Sequence, residues 1–199
     1  MAAGRHRAFD AEESLQKALQ VFWSKGYSGT SLSDLIAAMG INKPSLYAAF
    51  GNKEALFVSA INQYVNEYGS PHALHLQTEG ASLQARLVAF LDSVIGSIAD
   101  SELPLGCFVV NSTCESGSSC LPAEAAKAVT EINSASIASF SQFFADEIDK
   151  QNLSSDKKPE TLAHYLLTQQ FGLAVMARNG ASQEQLKQIA REAVEGMLA

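Results

Sequence analysis

The sequence predicts an all-helical protein in two parts: a helix-turn-helix module over residues 1–68 and a helical regulatory and dimerisation domain over 69–199. Three observations predict it. The stretch from Ser28 to Phe57 reads as two short helices joined by a tight turn, with another helix leaving at once. Apolar residues recur throughout with the 3.6-residue period of helices, about nine of them, and nowhere with the alternation of strands. Charge divides along the same line. Residues 1–60 carry six basic and five acidic side chains (+1) and the remainder eight against sixteen (−8), which makes up the net −7.

Met1 to Ala8 holds Arg5, His6 and Arg7 without periodicity. It reads as an arm, either an inert terminus or one that reaches a phosphate or the minor groove. Asp10 is a cap for a first helix striped by Leu15, Ala18, Leu19 and Phe22 and ending near Lys25-Gly26, with Phe22, Trp23 and Tyr27 in the core of the N-terminal bundle. Leu32, Leu35, Ile36 and Met39 then fall at i, i+3, i+4 and i+7, and Ser31 with Asp34 forms the carboxylate version of a capping box. Gly40 is placed to stop that helix in a left-handed conformation. Asn42 caps the next, whose early Pro44 loses nothing because first-turn N–H groups have no partner inside a helix.

That next helix, Lys43 to about Phe50, has Leu46 and Phe50 to bury and Lys43, Ser45, Tyr47 and Ala48 left over. So narrow an apolar side presents the helix to something outside. A helix-turn-helix has this need, with one helix across the DNA backbone and the next in the major groove. Lys43 and Lys53 both fall in the first turn of a helix, where the macrodipole disfavours a cation by ~0.3–1 kcal/mol. A phosphate near both N-termini would account for them.

Beyond Lys53, the residues Phe57, Ala60, Ile61, Tyr64 and Tyr68 continue one face to Gly69-Ser70-Pro71, where the helix is expected to stop. A fifth helix carries Leu83, Leu87, Phe90, Leu91, Val94 and Ile98. Leu105 to Cys114 is a short apolar stretch running into a Gly/Ser-rich loop, Glu115 to Ser119. Val129, Ile132, Phe140, Phe143 and Phe144 mark a seventh helix, and a polar linker follows from Asn152 to Pro159. Leu162, Tyr165, Leu166, Gln169, Leu173 and Met176 give an eighth, closed by Asn179-Gly180. Leu186, Ile189, Ala190, Ala193 and Met197 give the last. These last two carry apolar residues on more than one face, with Gly172, Ala174, Ala177 and Gly196 permitting close approach. A helix apolar on two sides is buried twice, in its own domain and against something else.

With 199 residues and 47% hydrophobic content the chain can build a real core. No apolar run reaches the ~18 residues of a membrane span, and no signal peptide is legible, so a cytoplasmic location is expected. Three cysteines without regular spacing argue against a secreted disulfide scaffold. An acidic body suppresses nonspecific DNA binding and leaves affinity to local, salt-dependent contacts.

The N-terminal third resembles the TetR/AcrR family of bacterial transcriptional regulators. The residues that carry the resemblance are Thr30-Ser31, Ile36-Ala37, Gly40, Leu46-Tyr47-Ala48-Ala49-Phe50 and Lys53-Glu54-Ala55-Leu56. Ala49 stands where the family commonly has a phosphate-contacting His, and Pro44 where Gly is frequent. The resemblance implies a sequence-specific transcriptional regulator, a repressor released from a palindromic operator on double-stranded DNA by a small-molecule effector. Asn42, Lys43, Pro44, Ser45 and Ala48 would then face bases or the groove floor, with Ser31, Tyr47 and Lys53 on phosphates. It also implies a homodimer through the last two helices, which sets two recognition helices about 34 Å apart.

The candidate ligand pocket is the middle of the second domain, where Cys107, Phe108, Phe140, Phe144, His164, Tyr165, Phe171 and Met176 can converge. Gly106-Cys107-Phe108-Val109-Val110-Asn111 is similar to a Gly-Cys segment in a subset of the family, some of whose members sense oxidants or electrophiles through a cysteine. Cys107, Cys114 and Cys120 are therefore candidate redox residues, although no Lys or Arg lies between Arg86 and Lys127 to favour a thiolate. If the stretch is helical, Cys107 and Cys114 are ~10.5 Å apart along the axis, too far for a disulfide, which leaves Cys114 with Cys120. One alternative is thus a thiol-responsive regulator of the same fold. The other is a helical small-molecule-binding protein, or a thiol enzyme using Cys107 and His164, that never meets DNA. His72 and His75 read as loop histidines, with no metal or cofactor expected. The absence of a nucleophile elbow, phosphate loop or zinc spacing argues against an enzyme.

Overall fold

The computed structural model describes residues 10–199. The arm with Arg5, His6 and Arg7 lies outside them. Among the described residues there are nine α-helices, a π turn, a 3-10 segment and no strand. Local chemistry sets the first boundaries. α1 (Ala11–Lys25) starts where the Asp10 carboxylate accepts from the N–H groups of Glu12 and Glu13. α2 (Leu32–Met39) carries the full capping box between Ser31 and Asp34 and ends at Gly40, left-handed at φ 68°. The Asn42 side chain accepts from Ser45 N–H to start α3 (Lys43–Phe50), and Asn52 does the same for Ala55 at α4 (Lys53–Tyr64).

The expected stop at Gly69-Ser70-Pro71 is replaced by a change of winding. After Tyr64 the helix widens into a π turn, Val65–Gly69, and the Ser70 N–H bonds to the Val65 carbonyl. A 3-10 segment, Ser70–Gln77, follows, with Pro71 in its first turn, where a missing N–H costs nothing. His72 and His75 lie on this segment rather than in a loop, and His72 is buried.

The rest is α5 (Leu83–Ile98), α6 (Phe108–Gly117), α7 (Ala123–Asp149), α8 (Pro159–Arg178) and α9 (Gln183–Leu198). α6 extends through Glu115 to Gly117, so the expected loop is helical for three of its residues. Two apolar cores result. One joins α5, the C-terminal half of α7, α8 and α9. The other holds the N-terminal module around Phe22, Trp23, Leu35, Leu46 and Phe57, and it also takes in Phe108 and Val109 of α6 with Ala125 and Val129 of α7. The boundary drawn at residue 68 therefore falls within the π turn, and the N-terminal core is completed from beyond it.

A buried ion pair fixes the far end of the 3-10 segment. Arg86 on α5 pairs with the Glu147 carboxylate on α7 and donates to the Leu76 carbonyl at 2.9 Å. Lys150 and Asn152 complete the carboxylate's partners at 3.2 and 2.8 Å. Burial opposes ionisation of Glu147, yet these hydrogen bonds outweigh it and hold the carboxyl at about 2.

Candidate nucleic-acid interface and internal cavity

α3 buries Leu46 and half-buries Ser45 and Phe50, while Asn42, Lys43, Pro44, Tyr47, Ala48 and Ala49 are exposed. The Lys43 ammonium lies 5.8 Å from the Tyr47 ring centroid, so the two form one exposed cation–aromatic edge. Ser31 is also exposed at the start of α2. Its side chain is engaged with Asp34, whose carboxyl is held well below the usual range by hydrogen bonds from Lys25 and Ser31. Lys53 is placed differently from the others. Its ammonium donates to the Tyr27 carbonyl at 2.7 Å and sits 4.0 Å from that ring's centroid, and burial lowers its pKa. An ammonium has three donors, so this bond leaves others available.

Hydrogen bonds between residues distant in sequence tie this module to the body. The Trp23 indole donates to the Gly106 carbonyl at 3.1 Å, and Arg178 on α8 donates to the Ser24 carbonyl at 3.1 Å. Glu115 on α6 accepts from the Tyr27 and Ser28 N–H groups at 2.8 and 3.0 Å. Glu54 on α4 accepts from Glu124 N–H at the start of α7, 2.9 Å away. None of these was read from the sequence, because each joins residues more than fifty apart.

Within the body lies a cavity of about 370 Å³ walled by the end of α4, the π turn, the 3-10 segment and α5 to α8. Three of the expected pocket residues, Cys107, Phe140 and Phe171, line it. The other five do not. Phe108 and Phe144 are fully buried in the two cores, packed against side chains instead of open space. His164, Tyr165 and Met176 lie on the outward side of α8, because a two-faced helix turns one apolar stripe inward and the other out. His164 there engages the Glu160 carbonyl at 2.8 Å and is exposed, so it does not share the cavity with Cys107. Wall residues missed in the sequence include Tyr64 and Tyr68 on one side and Asn133, Ser136 and Ser139 of α7 on another. His72 also reaches the wall, its Nδ1 within 2.8 Å of the Ser93 hydroxyl.

The three cysteines are free. Cys107 caps α6, and burial pushes its thiol up, against hydrogen bonds from Tyr64 and the Val110 and Val109 N–H groups. Cys114 and Cys120 are exposed. No group of three or more metal-ligating side chains occurs among the described residues, and none of their helices is long and apolar enough to cross a membrane.

An exposed, capped second helix on a three-helix bundle, joined to a helical body with an internal cavity, defines a helix-turn-helix regulator. The family model for bacterial regulatory proteins of the tetR family matches residues 15–60. The HTH-type transcriptional repressor ComR of Escherichia coli K12 is 31% identical over 191 residues, covering 94% of this chain and 88% of ComR. Among solved structures, a cysteine mutant of the TetR family transcriptional regulator CifR, complexed with 26 bp of operator DNA, superposes with a TM-score of 0.84 at 34% identity, covering 96% of this chain and 98% of that one. Reduced Escherichia coli NemR shares the fold, at TM-score 0.81 and 23% identity, over 95% of this chain and 96% of NemR. The chain belongs to the tetR family.

Proposed function

We propose that this protein is a transcriptional repressor that binds a palindromic operator as a homodimer and leaves it when a small molecule enters the cavity. The observation that carries the reading is the course of one helix. α4 begins beside α3, one residue after its Gly51 stop and the Asn52 cap, and ends at Tyr64 on the cavity wall. A molecule seated against that end acts on the same rigid element that positions the exposed helix. Asn42, Lys43, Pro44, Ser45 and Ala48 face the groove in this reading, and Ser31, Tyr47 and Lys53 hold phosphates. The outward stripe of α8 and α9, with Tyr165, Val175, Met176 and Ile189 exposed, supports the dimer interface. Gly172 and Gly196 face open space in the single subunit. In this reading the protein acts by binding, as a member of a family of regulatory proteins.

Fluorescence anisotropy of the reduced protein against DNA from around its own coding region, at two salt concentrations with unrelated competitor, tests the reading. Salt-sensitive binding that survives competition supports it. Failure both there and in a random-sequence selection overturns it.

A second reading makes Cys107 the sensing group. It is favoured by the position of that thiol on the cavity wall, where two α6 N–H groups would stabilise a thiolate, and opposed by its burial. Repeating the titration after alkylation, with Cys107→Ser as control, separates the two: DNA release that disappears in the variant selects the thiol reading.

A further inference from the structure

The chemistry of the cavity wall restricts what can enter it. Among the described residues, no Asp, Glu, Lys or Arg side chain lines the cavity. Burial also disfavours charge on three of its groups, pushing the His72 imidazole down and the Tyr64 hydroxyl and Cys107 thiol up. A charged group seated against this wall would give up part of its hydration and meet no counter-charge there, which is costlier than burying a neutral polar group.

The polar groups that remain are neutral hydrogen-bonding groups, and those of α7 and α8 include unpaired acceptors. Asn133, Ser136 and Ser139 recur at i, i+3 and i+6, a polar stripe along the cavity side of α7. The Thr113 hydroxyl spends its proton on the Val109 carbonyl at 2.8 Å, so towards Asn133 it can only accept. Asn133 must therefore present its amide nitrogen there, at 2.9 Å, and its carbonyl oxygen is left over. This hydrogen-bond network fixes the orientation of the carboxamide. The Ser136 hydroxyl donates to the Ile132 carbonyl at 3.0 Å and keeps only lone pairs to offer. On α8, the Gln170 side-chain oxygen is buried with no partner at all. The α7 and α8 sides thus offer acceptors, the Tyr68 hydroxyl, which accepts from Gln16 at 3.0 Å, keeps its proton to donate, and Phe90 and Val94 of α5 with Leu167 and Phe171 of α8 supply apolar surface.

We propose that the cavity selects an uncharged, mainly apolar molecule that brings a neutral hydrogen-bonding group, such as a phenol or an alcohol, and rejects carboxylates, phosphates and ammonium compounds. This deepens the effector-site reading and rests on it. A volume of about 370 Å³ lies at the small end of the range for ligand pockets and suits a molecule of one or two fused rings.

Four probes on one ring system test the selection by calorimetry with the full-length reduced protein: 1-naphthol, 1-methylnaphthalene, 1-naphthoate and 1-naphthylmethylammonium. The expected order places 1-naphthol first, 1-methylnaphthalene about tenfold weaker for want of a hydrogen-bonding group, and both ions weaker still. Gln170→Met keeps the length and bulk of the side chain and removes the unpaired oxygen. It narrows the gap between 1-naphthol and 1-methylnaphthalene and leaves the binding of the latter unchanged. Either ion binding as tightly as 1-naphthol, or no probe binding, overturns the inference. Operator binding measured without any probe is scored separately, so a lost selection with intact operator binding rejects this inference alone. Intact selection with no operator binding rejects the repressor reading alone.

Discussion

The Glu115 carboxylate accepts the backbone N–H of Tyr27 at 2.8 Å, across eighty-eight positions of sequence, and with the Ser28 N–H it holds the turn between α1 and α2 to the last turns of α6. The other end of α6 is Cys107, on the cavity wall. Glu115→Ala removes an ionised acceptor from two N–H groups. A stability loss of about 1–3 kcal/mol is expected. The specific readout is amide hydrogen exchange, which should speed up at Tyr27 and Ser28. Unchanged protection there would show that the contact does not hold the turn.

Lys53 has a structural partner in Tyr27 and, in the proposed complex, a phosphate as well. Lys53→Ala should therefore lower affinity for all DNA sequences alike and shallow the slope of log affinity against log salt by about one. Anisotropy titrations at four or more salt concentrations measure it. A lower affinity at constant slope would confine Lys53 to its bond with Tyr27.

The Arg86–Glu147 pair makes stability depend on acid. The Glu147 pKa falls from 4.5 in the open chain to about 2 in the fold, so the unfolded state binds the proton more readily. Its contribution is complete above pH 4.5 and disappears as pH falls towards 2. Glu147→Gln leaves Arg86 buried without its counter-charge and should cost about 3–5 kcal/mol at neutral pH. Urea unfolding followed by circular dichroism through the acid range should give a flatter profile for the variant. Parallel profiles would assign the acid sensitivity elsewhere.

Gly106 is predicted to be intolerant of any side chain. Its φ is +83°, and an added Cβ would meet the Ala174 carbonyl at 3.1 Å and Arg178 Cβ at 3.2 Å. Its carbonyl also takes the Trp23 indole bond. Gly106→Ala should destabilise by about 1–3 kcal/mol and shift the Trp23 fluorescence. A variant with wild-type Tm would show that the α8 contact yields.

How much of this was legible in the sequence depended on range. The caps at Asp10, Ser31 and Asn42 and the stop at Gly40 involve partners within four residues, and the structure forms them as expected. The all-helical fold followed from periodicity for the same reason. The π turn was not legible, since Tyr64 and Tyr68 satisfy α-helical spacing equally well. His164, Tyr165 and Met176 were drawn towards the pocket because α8 has two apolar stripes and a sequence does not say which faces inward. The α7 wall was missed because Asn133, Ser136 and Ser139 look like an ordinary solvated face until the fold sets them along the cavity.

The π turn at Val65–Gly69 closes its hydrogen bonds on the fifth residue instead of the fourth, and so accommodates one residue more than an α-helix over the same span. In terms of chain length that residue is a surplus, and it lies between the part that meets DNA and the part that encloses the cavity. Loss of one residue here lets the backbone rewind as plain α-helix while the segments on either side keep their phase. The same loss within α4 or α5 would turn every later side chain of that helix by about 100° and take its apolar face out of the core. The junction between the two halves is thus a place where a change of one residue in chain length shifts the phase of neither half.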